Sequence, residues 1–553
     1  MDDRRKETSF RSPRPSRLSL FGCRLCLVWN QQNAREYGFS VFRLSHAGMR
    51  AGSTVLILMW VAARAVGELA IPTGVAQLFI GDRLIEKNGS VVRTLHQPRK
   101  DGGGLEPVLF LEDEFKGVPG TLQGGTILFD RKRNQYVMFA LAGAHLEGHP
   151  WDWIRLYRFT SGDGLNWTKG DDGRAECVFP RSRDDLLDPA SGAYATNPDL
   201  TTFIYDESDA AHPYKGWIWY ANWGDEREGM YFVQSTDGRV WERGAKVAPM
   251  EAFHFETDTH VYEGPYDASG FTADPANGRF IASLKISARI KARPSEYYRA
   301  RAYYAVDALN QPIAFDPRKL VRLEPTRSHE NGDEPNDEYY FSDSWRYESL
   351  WLGALKIHHE NADYLYSKAG CCFLKLVYSE DGLHWQKVPY ANDSGVPEVF
   401  LPNGVEGGNE AKNDGGYVTT FQNPPLRIGN ELIYYYASSS YGKNHPVPTM
   451  LKGGGVFRSR LRVDGFVSVD SGTLVTVPLT TTGTSLWVNH VGEVSVDLLD
   501  ANDVVRASAQ ISGDSILQRV EFPGRGDEWV KMGAFKLRFS VPPGSQLYSF
   551  QFR

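Results

Sequence analysis

Two carboxyl-bearing segments have the residue types for proton chemistry. Glu348 lies in Ser344-Trp345-Arg346-Tyr347-Glu348-Ser349-Leu350-Trp351, flanked by Arg346 and two tryptophans. Asp267 lies in Tyr262-Glu263-Gly264-Pro265-Tyr266-Asp267, just before an apolar strand. A carboxyl among aromatics loses water, which disfavours its charged form and raises its pKa, so Glu348 suits a proton donor. Asp267 suits a carboxylate that attacks, activates water or orients a substrate. The alternative for Glu348 is a salt-bridged glutamate at a strand end. Glu114 (LEDEFKG), Asp199 (ATNPDLTTF) and Glu263 are further carboxylates close to strand starts, and Asp414 stands before the last aromatic strand. Asp274 reads as a turn former, because Asp-Pro before Ala-Asn-Gly is hairpin chemistry. His445 follows the strand YYYASS and meets either a ligand hydroxyl or solvent. Arg299 and Arg301 (YYRARAYY) share one strand face. They can neutralise an acidic pocket, bind an anionic substrate, or pair across strands at the surface.

Other chemistries find no support. No Gly-rich phosphate loop follows a strand, and no G-x-S-x-G elbow occurs. Cys23 and Cys26 form a lone C-x-x-C, and Cys177, Cys371 and Cys372 are too few for a disulfide framework. Zinc spacing is absent, and no metal or cofactor is expected.

These candidates must be positioned by repeated β-units. Ser161-Gly-Asp163-Gly164-Leu-Asn-Trp167 recurs as Ser235-Thr-Asp237-Gly238-Arg-Val-Trp241 and as Ser379-Glu-Asp381-Gly382-Leu-His-Trp385. Each copy follows an apolar-aromatic strand. Asp-Gly signals a tight hairpin because glycine tolerates positive φ. Each copy therefore marks the outer hairpin of a four-stranded unit, with the Trp folding back over it. Units begin near residues 105, 190, 260, 340 and 410, and that regularity predicts a five-bladed β-propeller over 77–464. After 465 aromatics thin out, and short alternating strands predict an antiparallel β-sandwich over 465–553. The chain is expected to be all-β.

The first 67 residues differ. Residues 1–48 are Arg-rich and aperiodic, and read as an upstream extension. Residues 49–67 order a charged start, the apolar run Val55–Ala63 and small residues, the pattern of a signal peptide. That run is about half of the roughly 20 residues a membrane span needs, although a short anchor is the alternative. Removing residues 1–67, which hold 11 Lys/Arg and 4 Asp/Glu, leaves 50 basic and 64 acidic residues, a net of −14. An acidic chain without a basic stripe argues against a nucleic-acid partner. A secreted or periplasmic protein is expected, monomeric or weakly self-associating, with no membrane contact beyond the export signal.

The order of parts resembles the clan of five-bladed-propeller glycosidases, and within it proteins similar to the amino-terminal domain of glycoside hydrolase family 32. The resemblance rests on LFIGDRLIEKNGSVVRTLHQP, the three DGxxW hairpins, RSRLRVDGFVSVDSG and the closing KLRFSVPPGSQLYSFQF, and covers nearly all of residues 77–553. It implies a propeller with a central acidic pocket, a following β-sandwich, and cofactor-free hydrolysis of furanosides, often fructosides. Such hydrolysis needs two carboxyl groups across the scissile bond. Glu348 and Asp267 are the predicted pair. Glu114, Asp199, Glu263, Arg299, Arg301, Trp345, Arg346, Asp414 and His445 are predicted to line the carbohydrate site. The family's W-x-N-D-P-N-G and Arg-Asp-Pro signatures are missing, since GVPGTLQGGTILFD stands where the first belongs and Thr272-Ala273-Asp274-Pro275 keeps only Asp-Pro of the second. A non-catalytic carbohydrate-binding propeller is therefore the rival expectation.

Overall fold

Alternating apolar, aromatic and β-branched residues favour strands, and strands make up nearly all of the regular structure. The computed structural model describes residues 67–110, 121–143, 154–182, 185, 187–188, 193–194, 197–221, 227–326, 333–361, 369–392, 398–447, 453–524 and 528–553. The extension 1–48, the export segment except Gly67, Cys23, Cys26 and Glu114 lie outside the described residues.

Five antiparallel sheets follow one another, as the repeat predicts. Blade 1 comprises Thr121–Asp130, Gln135–Gly143, Ile154–Ser161 and Glu176–Phe179. Blade 2 comprises Asn197–Tyr205, Tyr214–Ala221, Gly229–Ser235 and Glu242–Pro249. Blade 3 runs from His260–Asp274 through Arg279–Ile290 and Tyr297–Val306 to Val321–Leu323. Blade 4 runs from Asp337–Ser342 through Leu350–Glu360 and Gly370–Ser379 to Trp385–Lys387. Blade 5 contains Thr419–Thr420, Glu431–Ser438 and Gly455–Arg462, and its outermost strand is Arg99–Lys100 from before blade 1. The two ends of the propeller segment thus close the ring. Asp101 fixes the closure, accepting hydrogen bonds from Arg458 Nε at 2.6 Å and Arg460 Nε at 2.9 Å.

The first strands of neighbouring blades touch around the axis. Phe203 N donates to Thr126 Oγ1 at 3.2 Å, Thr272 Oγ1 to Ser344 O at 2.7 Å, Thr420 Oγ1 to Asp343 Oδ2 at 2.5 Å, and Gln422 N to Gly125 O at 2.7 Å.

The DGxxW segments are the predicted outer turns, between the third and fourth strands of blades 1, 2 and 4. Each Asp takes two backbone N–H groups; Asp163 Oδ1, for instance, accepts from Leu165 N and Asn166 N, both at 2.8 Å. The glycines have φ of +72°, +74° and +78°, which side chains rarely adopt. The tryptophan does more than cover its own hairpin. Trp167 packs on Tyr435 of blade 5, Trp241 on Phe139 of blade 1, and Trp385 on Tyr303 of blade 3, with centroids 5.7, 5.5 and 5.3 Å apart. The repeat is therefore an inter-blade wedge as well as a turn. Trp385 is buried, and its indole N–H donates to Gly382 O at 2.8 Å. Trp385→Ala is expected to cost about 3–5 kcal/mol, read as a lower urea midpoint.

The carboxy-terminal sheet holds Val467–Thr476, Leu486–Leu499, Val505–Arg519, Lys536–Val541 and Gln546–Phe552. Leu486–Leu499 pairs with Gln546–Phe552 before Gly492 and with Lys536–Val541 after it. Gly492 faces Gly513 across the ladder, with φ of +78° and +110°, so the two long strands bend together where the pairing partner changes. The amino-terminal segment departs from its predicted place in the propeller. Gln77–Leu78 pairs with Gln546–Phe552, and Ile85–Leu95 with Val467–Thr476, in this carboxy-terminal sheet. Burial explains the placement. Phe79 packs on Phe539 and Phe550 of that core, while Leu78 and Ile80, on the other face of the extended chain, enter the core of blades 4 and 5.

Candidate active site at the propeller axis

First strands of successive blades bring three carboxylates toward the axis, and each stands beside a break in strand register. Asp199 borders a shift between Asp199 and Thr202 in blade 2. Asp267 lies inside a shift between Tyr266 and Gly270 in blade 3, next to Ala268 with φ +59°. Glu338 immediately precedes a shift between Tyr339 and Phe341 in blade 4. Bulges re-aim side chains and recur next to active sites.

Cations surround these carboxylates. Lys285 Nζ meets the Asp267 carboxylate, and Arg299 Nη1 meets Glu338. The buried Tyr340 ring lies at the centre. Lys443 Nζ is 4.6 Å from its centroid, Lys285 Nζ and Arg299 Cζ are each 5.0 Å away, and Lys356 Nζ is 5.3 Å away. Lys443 also donates to the Tyr340 hydroxyl at 3.2 Å. Lys356 donates to Thr419 Oγ1 and sits 3.2 Å from the centroid of Tyr417. Burial, opposed by Asp199 among others, pushes the Lys356 ammonium down to about 7 and that of Lys443 down to about 8. Burial also pushes His358 down to about 4, so it is neutral near pH 7. Asp267 keeps 30% of its side chain exposed. Burial, with Arg299, Lys443 and Arg301 nearby and Asp199 opposing, holds the Lys285 ammonium well below the ordinary lysine range.

Of the predicted residues, Asp199, Asp267 and Arg299 come together here. Arg301 lies alongside but is fully buried, donating to Ala268 O, Tyr340 O and Ser283 Oγ at 2.9, 3.2 and 2.9 Å, which makes it scaffolding. Glu263 lies further along the blade 3 hairpin, 3.6 Å from His254 Nδ1 and 3.7 Å from Arg289 Nη2. Asp414 is buried against Lys100 Nζ at 2.5 Å and Tyr436 Oη at 2.9 Å. The His445 ring packs 4.8 Å from Tyr441, and its neighbour Lys443 is the residue that reaches the axis. Trp345 is core, packed 5.9 Å from Tyr434, and Arg346 is exposed.

Glu348 does not join the cluster. It occupies the turn at the opposite end of blade 4, eight strand residues from His358, or roughly 26 Å. Its Oε2 accepts the Ala76 N–H at 2.8 Å, and Ser349 N donates to Ala76 O at 3.2 Å, so the turn stitches the propeller to the amino-terminal segment. Desolvation raises its pKa, as predicted, at a seam between domains.

Glu338, Lys285, Lys356, Tyr340 and Lys443 escaped the sequence reading. A signal existed for four of them. Glu338 and Tyr340 begin a first strand as Asp-Glu-Tyr-Tyr-Phe. Lys285 and Lys356 share Leu-Lys-Ile in the second strands of blades 3 and 4, and Lys285 lies between buried Leu284 and Ile286 just as Lys356 lies between buried Leu355 and Ile357.

Glu338, His358 and Glu360 each offer one ligand atom, all within 4.8 Å of one another. A neutral imidazole is the ligand form. A divalent cation there would compete with Arg299 for Glu338 and would feel Lys443 as well.

No family model and no curated protein sequence matches the chain. Among solved structures it is similar to a fructofuranosidase from Schwanniomyces occidentalis, at 9% identity and a TM-score of 0.36 over 88% of this chain and 98% of that one. It is also similar to a family 117 glycoside hydrolase from Zobellia galactanivorans, at 10% identity and a TM-score of 0.33 over 67% of this chain and 90% of that one. A further glycoside hydrolase matches at 8% identity and a TM-score of 0.38, over 68% and 92% of the two chains.

Proposed function

We propose that the protein is an exported glycoside hydrolase that cleaves a glycosidic bond at the propeller axis, on furanosidic, fructoside-like linkages. The reading rests on one observation: Asp267 and Glu338, at strand bulges of adjacent blades, each meet a cation that lies 5.0 Å from the Tyr340 ring, Lys285 and Arg299. Asp267, partly exposed and in contact with Lys285 Nζ, is the group that attacks or activates water. Glu338, from the next blade, is the second carboxyl of the pair, in the place the sequence reading gave to Glu348. The family resemblance of residues 77–553 and the signal-like segment 49–67 support the substrate class and export. The test is release of reducing sugar by purified protein across a broad oligosaccharide panel, including fructans, other furanosides and sulfated glycans. Turnover of at least one class is expected.

A second reading is favoured by the cation on each carboxylate, since Lys285 and Arg299 oppose protonation of Asp267 and Glu338. A propeller that only binds carbohydrate needs no proton donor. Saturable sugar binding with no product after prolonged incubation would establish that reading.

A further inference from the structure

We propose that the axial site recognises a negative charge on its sugar, a carboxylate or a sulfate ester, with Lys443 as the contact and Lys356 behind it. The inference rests on the carbohydrate reading above and names the class of sugar.

Four cations crowd one aromatic ring, and their partners divide them into two kinds. Lys285 and Arg299 are each neutralised by a carboxylate, Asp267 and Glu338. Lys356 and Lys443 are not. Among the described residues their hydrogen-bond partners are neutral hydroxyls, Thr419 Oγ1 and Tyr340 Oη, and neither lies within 4 Å of a carboxylate oxygen. The Lys356 side chain is buried, with 1% exposure, and Lys443 is half-buried. Burying an ammonium without an anion is costly, and placing it near other cations more so. Two such lysines share the Tyr340 ring, and Asp199 is a carboxylate that acts on both from a distance. A ligand anion would supply the missing countercharge. Lysine presents a point charge, which serves carboxylate and sulfate alike, whereas the planar fork of Arg299 is already committed to Glu338.

The charge state of Lys443 supports the reading. It faces Arg299, Cys372, Glu338 and Asp199, and burial holds its ammonium well below the ordinary lysine range. A bound anion favours its charged form, so binding should draw protons from solution near pH 8.

The experiment compares binding of galacturonic acid, galactose 6-sulfate and galactose to the full chain by calorimetry, with matched uronate-containing, sulfated and neutral oligosaccharides tested for cleavage. An anionic sugar is expected to bind at least about tenfold more tightly than galactose. Its affinity is expected to fall toward tenfold per pH unit above about 8, and its binding heat to depend on buffer ionisation. Lys443→Met should bring the anionic and neutral affinities together, and Lys356→Met should narrow the gap. Preference for the uronate over the sulfate, or the reverse, identifies the anion. Equal binding of galactose, or a preference that survives both substitutions, overturns the proposal. Cleavage of neutral oligosaccharides without anion preference overturns it and leaves the hydrolase reading standing. Anion-selective binding with no cleavage of any oligosaccharide supports it and defeats the hydrolase reading. Failure of all three sugars to bind, with no anion preference in cleavage, overturns the proposal and leaves the hydrolase reading to the furanoside panel.

Discussion

Asp267→Asn is expected to lower sugar turnover by roughly two to four orders of magnitude, while Glu348→Gln leaves it within about twofold. Asparagine keeps the shape of the side chain at the blade 3 bulge but cannot carry the charge that attacks or accepts a proton. Its loss also leaves Lys285 without its anion, so a circular-dichroism check of folding must accompany the rate. Lys285 is itself buried, but burial already holds its ammonium well below the ordinary lysine range, so it can release its proton when the anion is lost, and the folded state should survive. Glu348 sits roughly 26 Å away, at the far end of the blade. Glutamine there can still accept the Ala76 N–H, so the seam should hold. Glu338→Gln provides the second arm and should also fall by at least two orders of magnitude. If Glu348→Gln is the inactive protein and Asp267→Asn the active one, the axial assignment fails.

The contrast between Glu338 and Glu348 shows what was legible in the sequence. Strand periodicity and the Asp-Gly turns carry local information, so five blades and their outer hairpins could be read directly. The expectation that candidate carboxyls sit on innermost strands of different blades beside aromatics fits Glu338 as a residue of such a strand and does not fit the position of Glu348. Asp337–Ser342 is the first strand of blade 4, and Trp345–Tyr347 is a short addition beyond its far end. A run of apolar and aromatic residues does not say which end of a strand faces the axis. Long-range pairings were less legible still. Arg99–Lys100 closes blade 5 across the whole propeller, and residues 77–95 join the carboxy-terminal sheet, through contacts that leave no local period. Lys443 reaches the axis because its backbone N–H and C=O bond Gly370 of blade 4 at 2.7 and 3.0 Å, while nothing in Gly-Lys-Asn-His sets that lysine apart from His445. The buried Leu-Lys-Ile pair was visible. A lysine between two core residues conflicts with the pattern around it, and such local conflicts mark functional sites.

Asp343→Asn is expected to stabilise the protein at neutral pH, with a gain that grows as pH rises from about 4 to about 8. Asp343 is buried where blades 4 and 5 meet, accepting hydrogen bonds from Ala354 N at 2.8 Å and Thr420 Oγ1 at 2.5 Å. Burial pushes its carboxyl up to about 8, beyond what those two donors can offset. In the unfolded chain the same group ionises near pH 4. Between these values the folded state holds a proton that the unfolded state has released. The linked stability is fully present below about pH 4 and is lost as pH rises to about 8. The full span corresponds to roughly 4–6 kcal/mol. Asparagine reproduces the neutral carboxyl, since its oxygen can accept from Ala354 N and its amide can donate toward Thr420 Oγ1. It has nothing to ionise. Lys356 acts in the opposite sense and in another window. Its ammonium is pushed down to about 7 in the fold, so its burial destabilises fully below pH 7, and that effect fades only as pH climbs toward the ordinary lysine range. From pH 4 to 7 the lysine contribution is constant, so a comparison of wild type and Asp343→Asn at pH 5 and pH 7 isolates the aspartate. Urea midpoints should diverge between those two conditions, with the variant higher at pH 7. Parallel curves would mean that Asp343 is ionised in the fold and that the clasp between blades 4 and 5 carries a buried charge.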